Sequence, residues 1–92
     1  MMSSVFRGIK VVSFGWAIVG ALTMRYLANY GATVIKIESE RRPDVLRVSP
    51  PFKDGKAGLN RSGYFNYYNA NILSMALNLS HPRAREIAKK LV

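Results

Sequence analysis

The chain is predicted to be an α/β domain, built on a Rossmann-like βαβ unit with a parallel sheet. Three observations predict this. Residues 9–14 form a short run rich in β-branched side chains. After Gly15, apolar residues recur every three or four positions up to Tyr30. A second apolar run, residues 33–37, follows Gly31. Two strands joined by a helix are expected to run parallel with a right-handed crossover. Parallel strands are covered on both faces, which explains why both runs are apolar rather than alternating.

Each element has its own signal. Helix 17–30 carries Val19, Leu22, Tyr26, Leu27 and Tyr30 as its apolar stripe. Gly31 stands where a left-handed residue stops such a helix. Residues 39–63 hold three of the four prolines and many charges, and read as a long polar excursion over the surface. Residues 64–68, with four aromatics in five positions, read as one helical turn. Leu73, Met75, Leu77 and Leu79 alternate with small or polar residues, the period of a strand with one buried face. Ser80 or His81 caps a last helix with Pro82 in its first turn. Its stripe is Ala84, Ile87, Ala88 and Leu91, and Glu86 is placed to pair with Lys90. This pattern still runs at Val92 without a capping residue. Residues 1–92 are therefore expected to be a partial N-terminal domain of a longer chain.

Composition narrows the function. Ninety-two residues allow one domain with a modest core. The absence of cysteine excludes a disulfide frame, thiolate chemistry and a zinc ribbon, and fits a cytoplasmic setting. No apolar run has the length of a membrane span, and Met1–Ser4 do not start a secretory signal. The net charge of +9 favours anionic partners. The cations are scattered along the chain, which argues only weakly for nucleic acid. A lone His81 without a second ligand at suitable spacing points to a helix cap and not to a metal.

Several segments resemble the start of the class III CoA-transferases, the family that includes formyl-CoA, carnitine and benzylsuccinate CoA-transferases and α-methylacyl-CoA racemases. They are Phe6-Arg7-Gly8-Ile9-Lys10-Val11-Val12, Val19-Gly20-Ala21-Leu22, and residues 27–38, which contain Gly31-Ala32-Thr33-Val34-Ile35-Lys36-Ile37-Glu38. Asp44-Val45-Leu46-Arg47 is similar to the family's Asp-x-x-Arg, and residues 50–55 and 60–65 look like its benzylsuccinate branch. Asn69-Ala70-Asn71 and Leu73-Ser74 fall where the family writes Asn-x-Asn-Lys-Arg-Ser. The resemblance covers nearly the whole chain and implies transfer of CoA from an acyl-CoA to a free carboxylic acid. It also implies an interlocked homodimer in the full-length protein, and a nucleophilic Asp beyond the residues seen here. No catalytic residue is therefore predicted in this chain.

The site residues follow. The loop Trp16, Ala17, Ile18, Val19 and Gly20 follows the first strand, where open α/β sheets bind ligands and a helix N-terminus favours phosphate. The alternative is a tight corner with Gly20 allowing close packing. With Gly15 and Gly20 five apart, the loop is not a dinucleotide fingerprint. Glu38 is expected either to be structural or to lie near CoA, and Arg41 and Arg42 are chemically apt for phosphate. The resemblance puts Asn69, Asn71 and Ser74 in the adenine and phosphate region. The chain departs from the family at Ser13, Ala21, Ile72 and Leu73, where Asp, Pro, Lys and Arg are usual. The loss of two cations, each able to contribute about 1–3 kcal/mol as a charged hydrogen bond, predicts weakened CoA binding. The aromatics at 64–68 are read as core or dimer surface. Asp44 and Asp54, the only aspartates, are expected to be exposed loop carboxylates. Alternative readings are a non-enzymatic basic module for nucleic acid or protein, or an acyl-CoA racemase of the same family.

Overall fold

In a computed structural model, which describes residues 5–92, the strands β1 (Lys10–Ser13), β2 (Thr33–Glu38) and β3 (Leu73–Ala76) lie side by side in that order. Met1–Ser4, read above as not starting a secretory signal, lie outside the described residues. Both ladders are parallel. Lys10 pairs with Thr33 and Ser13 with Lys36, and Ile35 pairs with Leu73 and Glu38 with Ala76. The helices are α1 (Ala17–Asn29), α2 (Gly63–Tyr68) and α3 (Pro82–Leu91). The predicted βαβ unit is thus present, with β2 as the central strand.

Local signals set the ends of the elements. Gly31 has φ +112°, a conformation that a side chain disfavours, and it stops α1 as expected. His81 caps α3, its Nδ1 accepting from the Arg83 N–H at 3.2 Å. Ser62 caps α2 by accepting from Phe65 N–H at 3.2 Å. Gly15 and Gly20 press against each other: a Cβ on Gly20 would lie 3.0 Å from Gly15 Cα.

Four expectations change. Within α1 the buried residue is Ala21, whereas Val19 is 81% exposed and Tyr26 and Tyr30 are also exposed. A helix with apolar residues on two sides shows the same period for both. The small Ala21 allows close approach, so that face turns inward and the bulky one outward. The predicted strand 73–79 ends at Ala76, although the ladder gains one further bond from Leu77 N–H to Glu38 O at 2.9 Å. As an edge strand with little cover it leaves Leu73 exposed. On α3, Ala84 and Ala88 are buried while Ile87 is exposed. Glu86 faces Arg83 at 4.0 Å instead of pairing with Lys90, a choice that exposed pairs determine only weakly.

The connection between β2 and α2 is more ordered than a surface excursion. A 3-10 turn, Val45–Val48, buries Leu46 and packs against α1 and α2. A second turn, Lys53–Gly55, is followed by a return in which Phe52 bridges to Ser62.

The glycine contact gives a direct test. Gly20→Ala pushes a methyl into Gly15 backbone atoms at 3.0 and 3.1 Å. We expect it to cost about 1–3 kcal/mol of stability, read as a lower urea midpoint with an unchanged slope.

Candidate functional site

Asp44 follows a proline, which favours an extended entry, and it opens the 3-10 turn by accepting from Leu46 N–H at 3.0 Å. The same carboxylate accepts from Ala17 N–H, at 3.1 and 3.2 Å to its two oxygens. Its Oδ2 also receives Lys36 Nζ at 2.8 Å, and Lys36 donates in addition to Gly15 O at 2.7 Å. Asp44 is 0% exposed and Lys36 3%. The expectation that Asp44 is an exposed loop carboxylate is therefore corrected, because the chain folds it inward against four donor contacts. Asp54 is exposed, as expected, with Arg61 at 3.4 Å.

Burial alone would raise the Asp44 pKa. The Leu46 N–H, the hydrogen bond and charge of Lys36, and the Ala17 N–H outweigh it and hold the carboxyl below its ordinary value.

A second pair extends the network. Asp44 N–H donates to Glu38 Oε2 at 2.7 Å, and Arg47 Nε donates to the same oxygen at 2.7 Å. Arg47 Nη1 reaches Leu59 O at 2.6 Å and Asn60 Oδ1 at 3.1 Å, and its guanidinium lies 3.8 Å from the Phe65 ring centre. Asp44-x-x-Arg47 is thus a clamp that fastens the loop to the end of β2.

The corner after β1 has a definite role in this clamp. Trp16 caps α1 without a side-chain bond, Ala17 takes φ +55°, and the Ala17 N–H already meets an internal carboxylate. Ser13 Oγ accepts from Gly15 N–H at 3.1 Å, which gives the departure at Ser13 a structural function.

Two hollows open at the carboxyl ends of the strands and share Glu38 and Ser39. The larger, about 540 Å³, has Phe14 and Trp16 beyond β1, Ile37, Arg41 and Arg42 around the end of β2, and residues 77–80 beyond β3, with Arg85 from α3. The smaller, about 180 Å³, includes Glu40, Pro43, Arg47, Asn60 and Ser74. Glu38 Oε1 is buried and has no hydrogen-bond partner.

Of the residues singled out by sequence, Trp16, Glu38, Arg41 and Arg42 meet at the larger hollow and Ser74 lines the smaller. Ala17, Ile18, Val19 and Gly20 line neither. Asn69 is buried with Nδ2 donating to Phe65 O at 3.0 Å, and Asn71 donates to Asn29 Oδ1 at 2.6 Å. Ile72 and Leu73 also line neither hollow, since they lie at the start of β3 rather than its end. Sequence reasoning missed Phe14, residues 77–80 and Arg85. The rule that ligands gather beyond strand ends would have pointed to the first two. Among the described residues no three His, Cys, Asp or Glu side chains converge as a metal site, and no helix is long and apolar enough to cross a membrane.

Comparison with known proteins gives a consistent result. The family model described as CoA-transferase family III matches residues 6–92. The chain is 35% identical over 72 residues to succinyl-CoA:(R)-benzylsuccinate CoA-transferase subunit BbsE of Thauera aromatica, covering 78% of this chain and 17% of that protein. It is 34% identical over 91 residues to a formyl-CoA:oxalate CoA-transferase of Escherichia coli, covering 99% of this chain and 21% of that protein. A crystal structure of a CAIB/BAIF family protein from Brucella suis superposes with a TM-score of 0.81 at 28% identity, covering 98% of this chain and 24% of that one. The chain therefore spans less than a quarter of the length of each of these proteins.

The clamp sets a prediction about stability. Asp44→Asn leaves Lys36 buried without its counter-charge and is expected to cost about 3–5 kcal/mol in urea unfolding. The folded-state pKa of Asp44 is depressed, so its contribution is complete above the ordinary value of about 4 and is lost as pH falls through the folded value. The wild type should lose this increment on acidification, whereas Asp44→Asn should not.

Proposed function

The chain belongs to CoA-transferase family III, and on that premise we propose that it supplies part of the CoA site of an enzyme that moves CoA from an acyl-CoA to a free carboxylic acid. The observation that carries this reading is the larger hollow. It lies beyond three parallel strands, where open α/β sheets bind ligands, and it combines apolar side chains with arginines. Coenzyme A is itself such a mixture, with a flat base and phosphates on an apolar arm. Arg41 and Arg42 are suited to phosphate, and Trp16 to the base or the arm. The free Oε1 of Glu38 is an acceptor for a ligand hydroxyl or amine.

The transfer needs a carboxylate that can carry an acyl group covalently. Neither aspartate here suits that step. Asp44 is held by Lys36 and backbone N–H groups, and Asp54 is exposed where water is not excluded. The nucleophile would come from outside residues 1–92. The exposed Val19 and Tyr26 of α1, with Tyr30 at its C-cap, offer a surface that the rest of the enzyme, or a second copy, would cover.

Titration calorimetry with CoA tests the binding half. We expect binding that weakens about tenfold or more when Arg41 and Arg42 are both changed to Ala, since each loses a charged hydrogen bond. Absence of binding at low salt would reject the site. For the chemical half, the 92-residue chain incubated with succinyl-CoA and benzylsuccinate or oxalate should form no new CoA thioester by mass spectrometry. Turnover by this chain, abolished by Asp54→Ala at an unchanged urea midpoint, would show that the chain is a complete small enzyme.

A further inference from the structure

The smaller hollow has a chemistry of its own. Successive side chains of a strand point to opposite faces of the sheet. Ser74 and Ala76 line the smaller hollow, whereas Ile37 and Leu77 line the larger. The two hollows therefore open on opposite faces and meet at Glu38 and Ser39. Five side chains carry a carboxylate, and four of them are in ion pairs: Asp44 with Lys36, Glu38 with Arg47, Asp54 with Arg61 and Glu86 with Arg83. The fifth, Glu40, has no such partner among the described residues, and it lines the smaller hollow. Glu38 lines it too. That side chain is 8% exposed, and its Oε1 is buried without a hydrogen-bond partner. Its Oε2 already takes Asp44 N–H and Arg47 Nε, both at 2.7 Å. Arg47 is the one cation in the lining, against Glu38 and Glu40, so the hollow carries one surplus negative charge. It does so in a chain whose net charge is +9.

We propose that the smaller hollow receives one guanidinium group, the arginine side chain of a partner polypeptide. The inference does not rest on the CoA site, which opens on the other face of the sheet. A buried carboxylate oxygen without a donor has lost its water and gained nothing in exchange, and a charged donor makes good that loss. One positive charge also balances the surplus. The lining suits a long side chain with a polar tip: Glu38, Glu40 and the Ser74 hydroxyl offer acceptors, and Pro43, Leu59 and Ala76 offer apolar cover for a methylene stem. At about 180 Å³ the hollow is smaller than the roughly 300–1,000 Å³ of pockets that enclose whole small molecules. A guanidinium fits better than an ammonium, because its planar fork can address two carboxylates at once and it is more weakly hydrated. A divalent metal fits less well, since among the described residues no third acidic or His side chain joins the two glutamates.

The test uses the 92-residue chain at low salt, N-acetyl-arginine amide as the probe, and backbone amide chemical shifts as the readout. Saturable shifts are expected at residues 38–40, 59–60 and 74–76, and none at residues 78–85. Glu40→Gln should weaken binding about twofold to fivefold, as for a partly exposed ion pair. Ala76→Leu fills the hollow without touching a charge, so it should abolish the shifts while the urea midpoint stays near the wild-type value. N-acetyl-lysine amide should bind at least about threefold more weakly than the arginine probe. Absence of saturable shifts at these residues overturns the inference, as do shifts that survive unchanged in both Glu40→Gln and Ala76→Leu. Equal binding of the lysine probe, or the same shifts with potassium chloride alone, would make the hollow an unselective cation site and also overturn it.

Discussion

The buried pair of Lys36 and Asp44 joins three parts of the molecule at one point. Lys36 comes from the middle of β2, Asp44 from the loop, and both bond to the corner that starts α1. Burying two charges is costly, and their attraction compensates only when the remaining donors and acceptors are also matched. Here the match is dense: backbone N–H groups of Ala17 and Leu46 complete the carboxylate, and Gly15 O takes a second ammonium proton. Because these partners lie on different segments, no one segment can move alone without leaving a charge unpaired. The positions of Trp16 and Glu38 beside the hollow follow from this junction.

Next to it, Glu38 extends the same logic outward. One carboxylate oxygen takes Asp44 N–H and Arg47, which in turn spans to Leu59 and Asn60 and stacks on Phe65. Loop residues distant in sequence are thereby held to the end of β2. The other oxygen faces no protein donor. Structural support thus falls to one oxygen of the side chain and leaves the other unpaired.

The parts of the fold that were legible in the sequence are those fixed over a few residues. Gly31 ends α1, His81 caps α3 and the aromatic cluster forms α2, each because a local conformation or a near neighbour decides it. The parallel pairing of β1 and β2 was legible because a helix between two apolar runs leaves few alternatives. The burial of Asp44 was not legible. It depends on Lys36 and Ala17, eight and 27 residues away, meeting it in space. The outward stripe of α1 was misjudged because periodicity shows that a helix has faces without showing which one packs. The wall of the larger hollow was half legible: Arg41 and Arg42 after β2 were singled out, while Arg85 was hidden because its side chain runs back along the chain.

The sheet is open on both sides within the described residues, since β1 and β3 each pair with β2 alone. Both edges are four residues long. A foreign strand docking there gains only a few ladder bonds, each contributing about 1 kcal/mol, which is too little to offset the entropy of capture from dilute solution. A strand tethered to this chain arrives at an effective concentration in the millimolar range and needs no more than those few bonds. Short edges therefore sort additions by connectivity: they resist stray chains and remain receptive to a strand tethered to the sheet.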